Sequence, residues 1–120
     1  GGCDVSTGSL GHGIGIACGM ALSDRSKRVF CLISDGECME GSVWEAFRIA
    51  EEQHLDNLYI YLNFNGFGGY KKINTHALYA KIAPFQINKK LFLTSIPKLP
   101  GLLAHYIVLD QKTYEELIRE

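Results

Sequence analysis

The chain has 120 residues, 47% of them apolar, and a formal net charge of −1. That size and composition suit one globular domain or part of one, and the near-neutral charge gives no reason to expect nucleic acid or an anionic membrane as partner. Four cysteines, at 3, 18, 31 and 38, have no paired metal-ligand spacing and suit a reducing cytoplasm better than a disulfide scaffold; no signal-peptide or transmembrane pattern stands out.

In chain order, the opening Gly1-Gly2-Cys3 lies close to a glycine-rich motif and reads as a fragment or as a chain lacking upstream sequence. Residues 7–12, Thr-Gly-Ser-Leu-Gly-His, form a glycine-rich turn. From 13 to about 23, Ile14, Ala17, Cys18, Ala21 and Leu22 recur at helical spacing. Gly15 and Gly19 each weaken that helix by about 1 kcal/mol relative to Ala, which makes sense if another backbone packs closely on them. A polar loop, 24–28, leads into the apolar run Val29-Phe30-Cys31-Leu32-Ile33, a buried strand over 29–34. A helix follows over 42–53, with Val43, Ala46, Phe47 and Ala50 on one face, and then a second strand over 58–64. This unit has the length of a right-handed βαβ crossover, and strands apolar throughout predict a parallel sheet covered on both faces. The fold class is therefore α/β, a doubly wound parallel sheet, with 1–120 as a single domain and 5–70 as its motif-bearing part. Further on the spacing predicts a short helix over 75–82, a strand over 91–95, a loop at Pro97, Pro100 and Gly101, a strand over 105–109 and a helix over 113–119.

The chemistry-bearing residues stand at the ends of the first two strands. Asp35-Gly36 leaves one and Asn65 leaves the next. The carboxyl edge of a parallel sheet is where α/β proteins bind ligands. Mg2+ takes oxygen ligands, typically one or two carboxylates together with substrate phosphates. Asp35 can supply the carboxylate, Asn65 an amide oxygen and Phe67 a main-chain carbonyl, while Gly36 lets the backbone approach a phosphate and donate its N–H. Asp-Gly and Asn-Gly are also common turn formers, but here they terminate consecutive strands.

The arrangement resembles the thiamine diphosphate motif, and the surrounding residues resemble the transketolase family. The resemblance begins at Ser6-Thr7-Gly8-Ser9-Leu10-Gly11-His12-Gly13 and continues through Gly19-Met20-Ala21-Leu22. It is strongest over Asp35-Gly36-Glu37, Glu40-Gly41, Trp44-Glu45-Ala46, Leu55-Asp56-Asn57-Leu58 and Asn63-Phe64-Asn65, and diffuse after about residue 70. It implies Asp35, Asn65 and Phe67 as Mg2+ ligands, with Gly8, Leu10, His12, Asp35, Gly36, Glu37 and Asn65 against thiamine diphosphate. Glu40 and Glu45 match carboxylates near a subunit interface, and His105 matches a late histidine of the same domain; these three are the candidate catalytic residues. The chain departs from the pattern at Ser34, where the family has the first glycine of Gly-Asp-Gly, at Ser9, where it has proline, and at Asn63, where it often has Asp.

The implied activity is transfer of a two-carbon ketol unit between sugar phosphates. The cofactor supplies the carbanion chemistry. The family's activating glutamate lies on another domain, so the resemblance implies a partner chain carrying the pyrimidine-binding domain, in a dimer or heterotetramer. It also implies that the isolated chain does not turn over. The alternatives are the α subunit of a 2-oxo-acid dehydrogenase, whose motif also continues into a glycine-containing loop such as Asn65-Gly66-Phe67-Gly68, or a non-catalytic truncated remnant.

Overall fold

The computed structural model describes residues 2–95 and 108–118. Helix α1 (His12–Ser23) precedes strand β1 (Val29–Ser34). After a short 3-10 turn (Glu37–Met39) come α2 (Gly41–Glu52) and β2 (Leu58–Phe64). Helix α3 (Thr75–Ile82), β3 (Asn88–Leu93) and α4 (Gln111–Leu117) follow. The strands form a parallel sheet in the order β1-β2-β3, so each connection is a crossover carrying a helix. The class is α/β, as the alternation of apolar strands and amphipathic helices predicts.

Strand residues alternate between the two faces of the sheet. Val29, Cys31, Ile33, Leu58, Ile60, Leu62 and Phe64 point into one core with Ile14, Val43, Phe47, Leu78 and Ile82 from α1, α2 and α3. The four residues predicted as the inner face of α2, Val43, Ala46, Phe47 and Ala50, are all buried. Trp44 and Phe85 pack on Phe47, with ring centroids 6.2 and 5.6 Å away. Asn74 caps α3 by accepting the Ala77 N–H at 3.0 Å.

The opposite face carries Phe30, Leu32, Tyr59, Tyr61 and Phe92. Phe30 stacks on Tyr59 at 5.3 Å, and Tyr61 meets Phe92 at 5.9 Å. No described helix covers it: Phe30 is 58% exposed and Leu32 68%. Cover on both faces was expected from strands apolar throughout, yet among the described residues cover lies on one. Cross-strand aromatic packing and the Arg28 and Lys90 side chains, whose charged heads sit 6.0 and 5.2 Å from the Phe30 and Phe92 rings, dress the other.

Three further differences have local causes. The third strand spans Asn88–Leu93 rather than 91–95, because parallel pairing from Tyr59↔Asn88 to Phe64↔Leu93 recruits the polar Asn88, Lys89 and Lys90 at a sheet edge. Leu22, expected inside, is exposed, while Ile14, Ala17, Cys18 and Ala21 are buried. The last helix begins at Gln111 rather than 113, where Asp110 accepts the Thr113 N–H at 2.7 Å. Residues 108–110 are irregular, and the rest of the strand expected over 105–109 lies outside the described residues.

Candidate cofactor site

Asp35 is the fully buried acid at the end of β1. A lone buried carboxylate is costly unless hydrogen-bonded. Its Oδ1 accepts the Gly36 N–H at 3.1 Å and its Oδ2 the Gly66 N–H at 2.7 Å. The second bond ties the end of β1 to the end of β2. Gly66 can present its N–H there because it sits at φ 85°, a conformation that favours glycine. The chain then folds into a small hairpin, with Gly68 N–H donating to the Lys71 carbonyl at 2.8 Å and Ile73 N–H to the Gly66 carbonyl at 2.8 Å. Asn65, just before it, accepts the Phe67 N–H through Oδ1 at 2.9 Å, an Asx turn that sets the amide's direction.

The hairpin returns over Gly36. A Cβ at position 36 would stand 3.4 Å from Gly68 Cα, 3.6 Å from Ser34 Oγ and 3.8 Å from the Phe67 carbonyl oxygen. The absent side chain leaves a small cradle. The Asp35 carboxylate, the Asn65 amide oxygen and the Phe67 main-chain carbonyl are of the hard-oxygen type that Mg2+ takes. Among the described residues no group of three or more His, Cys, Asp or Glu converges for a metal. A cation here would therefore rely on the amide and the carbonyl beside the one carboxylate.

Ser34 and Glu37 form a reciprocal capping box around this loop. Ser34 Oγ accepts the Glu37 N–H at 3.1 Å, and Glu37 Oε2 accepts the Ser34 N–H at 3.1 Å. The hydroxyl that replaces the family's glycine hydrogen thus has a structural partner, and its own hydrogen remains to donate. The signal was in the sequence as Ser34-Asp35-Gly36-Glu37, the S-x-x-E pattern. Glu37 Oε1 also accepts the Gly11 N–H at 3.3 Å, and Ser42 Oγ donates to the Gly11 carbonyl at 3.3 Å. These bonds bring the glycine-rich turn to the Asp35 loop.

The other candidate residues are placed as follows. Gly8, Leu10 and His12 are exposed on the turn side. Glu40 precedes α2 and Glu45 lies on its exposed side. His105 lies outside the described residues. An open groove of about 780 Å3 runs between residues 2–7, α1 and β1, with Thr7, Ile16, Met20, Phe30 and Glu37 in its lining. Behind the loop, burial, and then the Asp35 and Glu37 carboxylates, push the Cys38 thiol up to about 12.

Fold and site together define a domain that presents an oxygen-lined, glycine-floored cradle at the carboxyl edge of a parallel sheet. A family model described as 1-deoxy-D-xylulose-5-phosphate synthase matches residues 3–95. Curated relatives include transketolase-like protein 2 of Homo sapiens, 56% identical over 70 residues, and the transketolases of Pongo abelii and Homo sapiens, each 53% identical over 70 residues. Each match takes in 54% of this chain and 11% of the relative, so the chain spans a small part of the length of the curated relatives it matches. The chain belongs to the transketolase family of thiamine diphosphate-binding domains.

Proposed function

We propose that the chain holds thiamine diphosphate and Mg2+ as part of an assembly that transfers a two-carbon ketol unit between sugar phosphates. The observation that supports this reading is the Asp35–Gly66 hydrogen bond, which ties the end of β1 to the end of β2, with the Phe67 carbonyl oxygen 3.8 Å from where a Gly36 Cβ would stand. Asp35, Asn65 and the Phe67 carbonyl would hold the metal. Gly36 would take the diphosphate, with the Ser34 hydroxyl hydrogen turned to it. Gly8, Leu10 and His12 would line the cofactor from the turn. Bound thiamine diphosphate supplies the carbanion-stabilising chemistry. This chain's share is to hold the metal ion that neutralises the diphosphate and to orient the diphosphate end.

Turnover then needs a partner carrying the pyrimidine-binding domain, in a dimer or heterotetramer. The side of α1 bearing Gly15 and Gly19 suits such packing, because nothing lies within 4 Å of where their Cβ atoms would stand. Glu40, which precedes α2, and Glu45, on its exposed side, would meet the partner. Among the described residues no helix is long and apolar enough to cross a membrane, and the free cysteines suit the cytoplasm we assign to the protein.

Calorimetric titration of the chain with thiamine diphosphate and Mg2+, alone and with a pyrimidine-domain partner, tests the reading. Binding is expected for the parent and loss of at least about tenfold in affinity for Asp35→Ala, since a metal-bound diphosphate depends on its one carboxylate ligand. No binding in either state would leave a non-catalytic remnant. The family model favours a second reading, a synthase of 1-deoxy-D-xylulose 5-phosphate. The 53% identity to a transketolase and 56% to a transketolase-like protein, each over 70 residues, support ketol transfer over it. The Glu40-Gly41 and Trp44-Glu45-Ala46 blocks support ketol transfer over 2-oxo-acid dehydrogenation. Product analysis of the reconstituted complex separates the three.

A further inference from the structure

Helix α1 starts without a cap of its own. Gly11 precedes it at φ 83°, and no side chain there accepts from the first N–H groups. Residues 2–10 are exposed, so the glycine-rich turn has little packing to hold it. Its long-range polar ties come through Gly11, whose N–H goes to Glu37 Oε1 and whose carbonyl accepts from Ser42 Oγ. A side chain at Gly11 would run into Ser42 Oγ, so the approach is as close as glycine permits. The other oxygen of Glu37 takes the Ser34 N–H. One carboxylate thus joins two segments that are 26 residues apart at the Gly11 contact.

We propose that Glu37 is a positioning residue: a carboxylate brace that sets the glycine-rich turn against the Asp35 loop and so preforms the diphosphate cradle, without itself touching the cofactor. This rests on the cofactor reading above and replaces the contact with thiamine diphosphate that the family resemblance implied for Glu37. Both oxygens are engaged by main-chain N–H groups of the protein. A carboxylate facing a diphosphate with no metal ion between them would repel it, and the metal is the part assigned to Asp35. Held in charge-assisted bonds near the positive end of α1, the same charge stabilises the turn. A turn ordered beforehand removes an ordering cost from binding.

The sign of one measurement separates this from its opposite. Paired main-chain N–H groups also bind anions. If Glu37 merely occupied that place, removing it would open the N–H groups to phosphate and tighten binding. If it braces the turn, removing it weakens binding.

The test compares the full chain with Glu37→Ala and Glu37→Gln. Amide exchange is followed by NMR, and affinity by titration with thiamine diphosphate and Mg2+. In Glu37→Ala the Gly11 and Ser34 amides are expected to exchange at least about tenfold faster while β2 amides keep their protection. Affinity is expected to fall about tenfold, with Glu37→Gln, which keeps one acceptor oxygen, in between. Unchanged exchange at both amides, or tighter binding, overturns the proposal. If Glu37→Ala does not fold, the Glu37→Gln exchange pattern decides. A parent chain that binds no thiamine diphosphate sinks the functional reading instead, and the exchange comparison still decides the brace.

Discussion

Asp35 shows how one buried group can serve stability and binding together. Its carboxylate satisfies the Gly36 and Gly66 N–H groups at two strand ends. Asp35→Ala therefore leaves two donors unpaired, the Gly36 N–H in a buried bond and the Gly66 N–H in a part-buried one, at a cost of about 1–3 kcal/mol each, besides removing the proposed metal ligand. Asp35→Asn, which keeps an acceptor, is the control that separates the two effects. The cysteines give a pH dependence of definite sign. Burial pushes Cys31 up to about 11 and Cys38 to about 12, against an ordinary value of 9.0. Between about pH 9 and 12 the unfolded chain releases protons that the folded chain keeps. Their contribution to stability is whole below pH 9 and is lost as pH rises through that window. Urea midpoints should fall from pH 9 to 11, less steeply for Cys38→Ala. At pH 8 iodoacetamide should label exposed Cys3 and spare Cys18, Cys31 and Cys38 until denaturant is added. Native labelling of Cys38 at the rate of Cys3 would contradict the buried placement.

At the scale of elements, α1 is apolar on both sides. Its inner side, Ile14, Ala17, Cys18 and Ala21, enters the core. Its outer side carries Gly15, Ile16, Gly19 and Met20. Glycine inside a helix costs about 1 kcal/mol against alanine, and here no described neighbour requires it. Gly15→Ala and Gly19→Ala should each stabilise the chain alone by about 0.5–1 kcal/mol, read from urea denaturation. If that side takes the partner, the same substitutions should weaken assembly in sedimentation analysis. Elements with a strong period were legible from sequence. The α2 face at Val43, Ala46, Phe47 and Ala50 needed only helical spacing, and β1 and β2 needed only unbroken apolar runs. Strand β3 was less legible because Asn88, Lys89 and Lys90 have no strand character of their own; pairing with β2 places them. The 3-10 turn at Glu37–Met39 went unread because its stabilising bonds run between Ser34, Glu37 and Gly11 rather than along a periodic face.

For the whole molecule, the open face of the sheet matters most. Leu32 and Ile33 are neighbours with similar side chains, yet Leu32 is 68% exposed and Ile33 1%. Ile33→Ala should cost about 2–5 kcal/mol, while Leu32→Ala should stay within about 0.5 kcal/mol. Equal costs in denaturation would mean that the second face is covered in solution.

The residues alone determined the class of fold, the βαβ unit and the placement of Asp35-Gly36 and Asn65 directly after consecutive strands, because period, apolar runs and turn chemistry are local properties. They also carried the family resemblance. Tertiary structure alone decided that the Asp35 carboxylate binds the Gly66 N–H, that Glu37 reaches the glycine turn, and that one face of the sheet lies open among the described residues. Each depends on which groups from distant segments meet, and the pairing of main-chain donors with side-chain acceptors across a fold leaves no local periodicity to read.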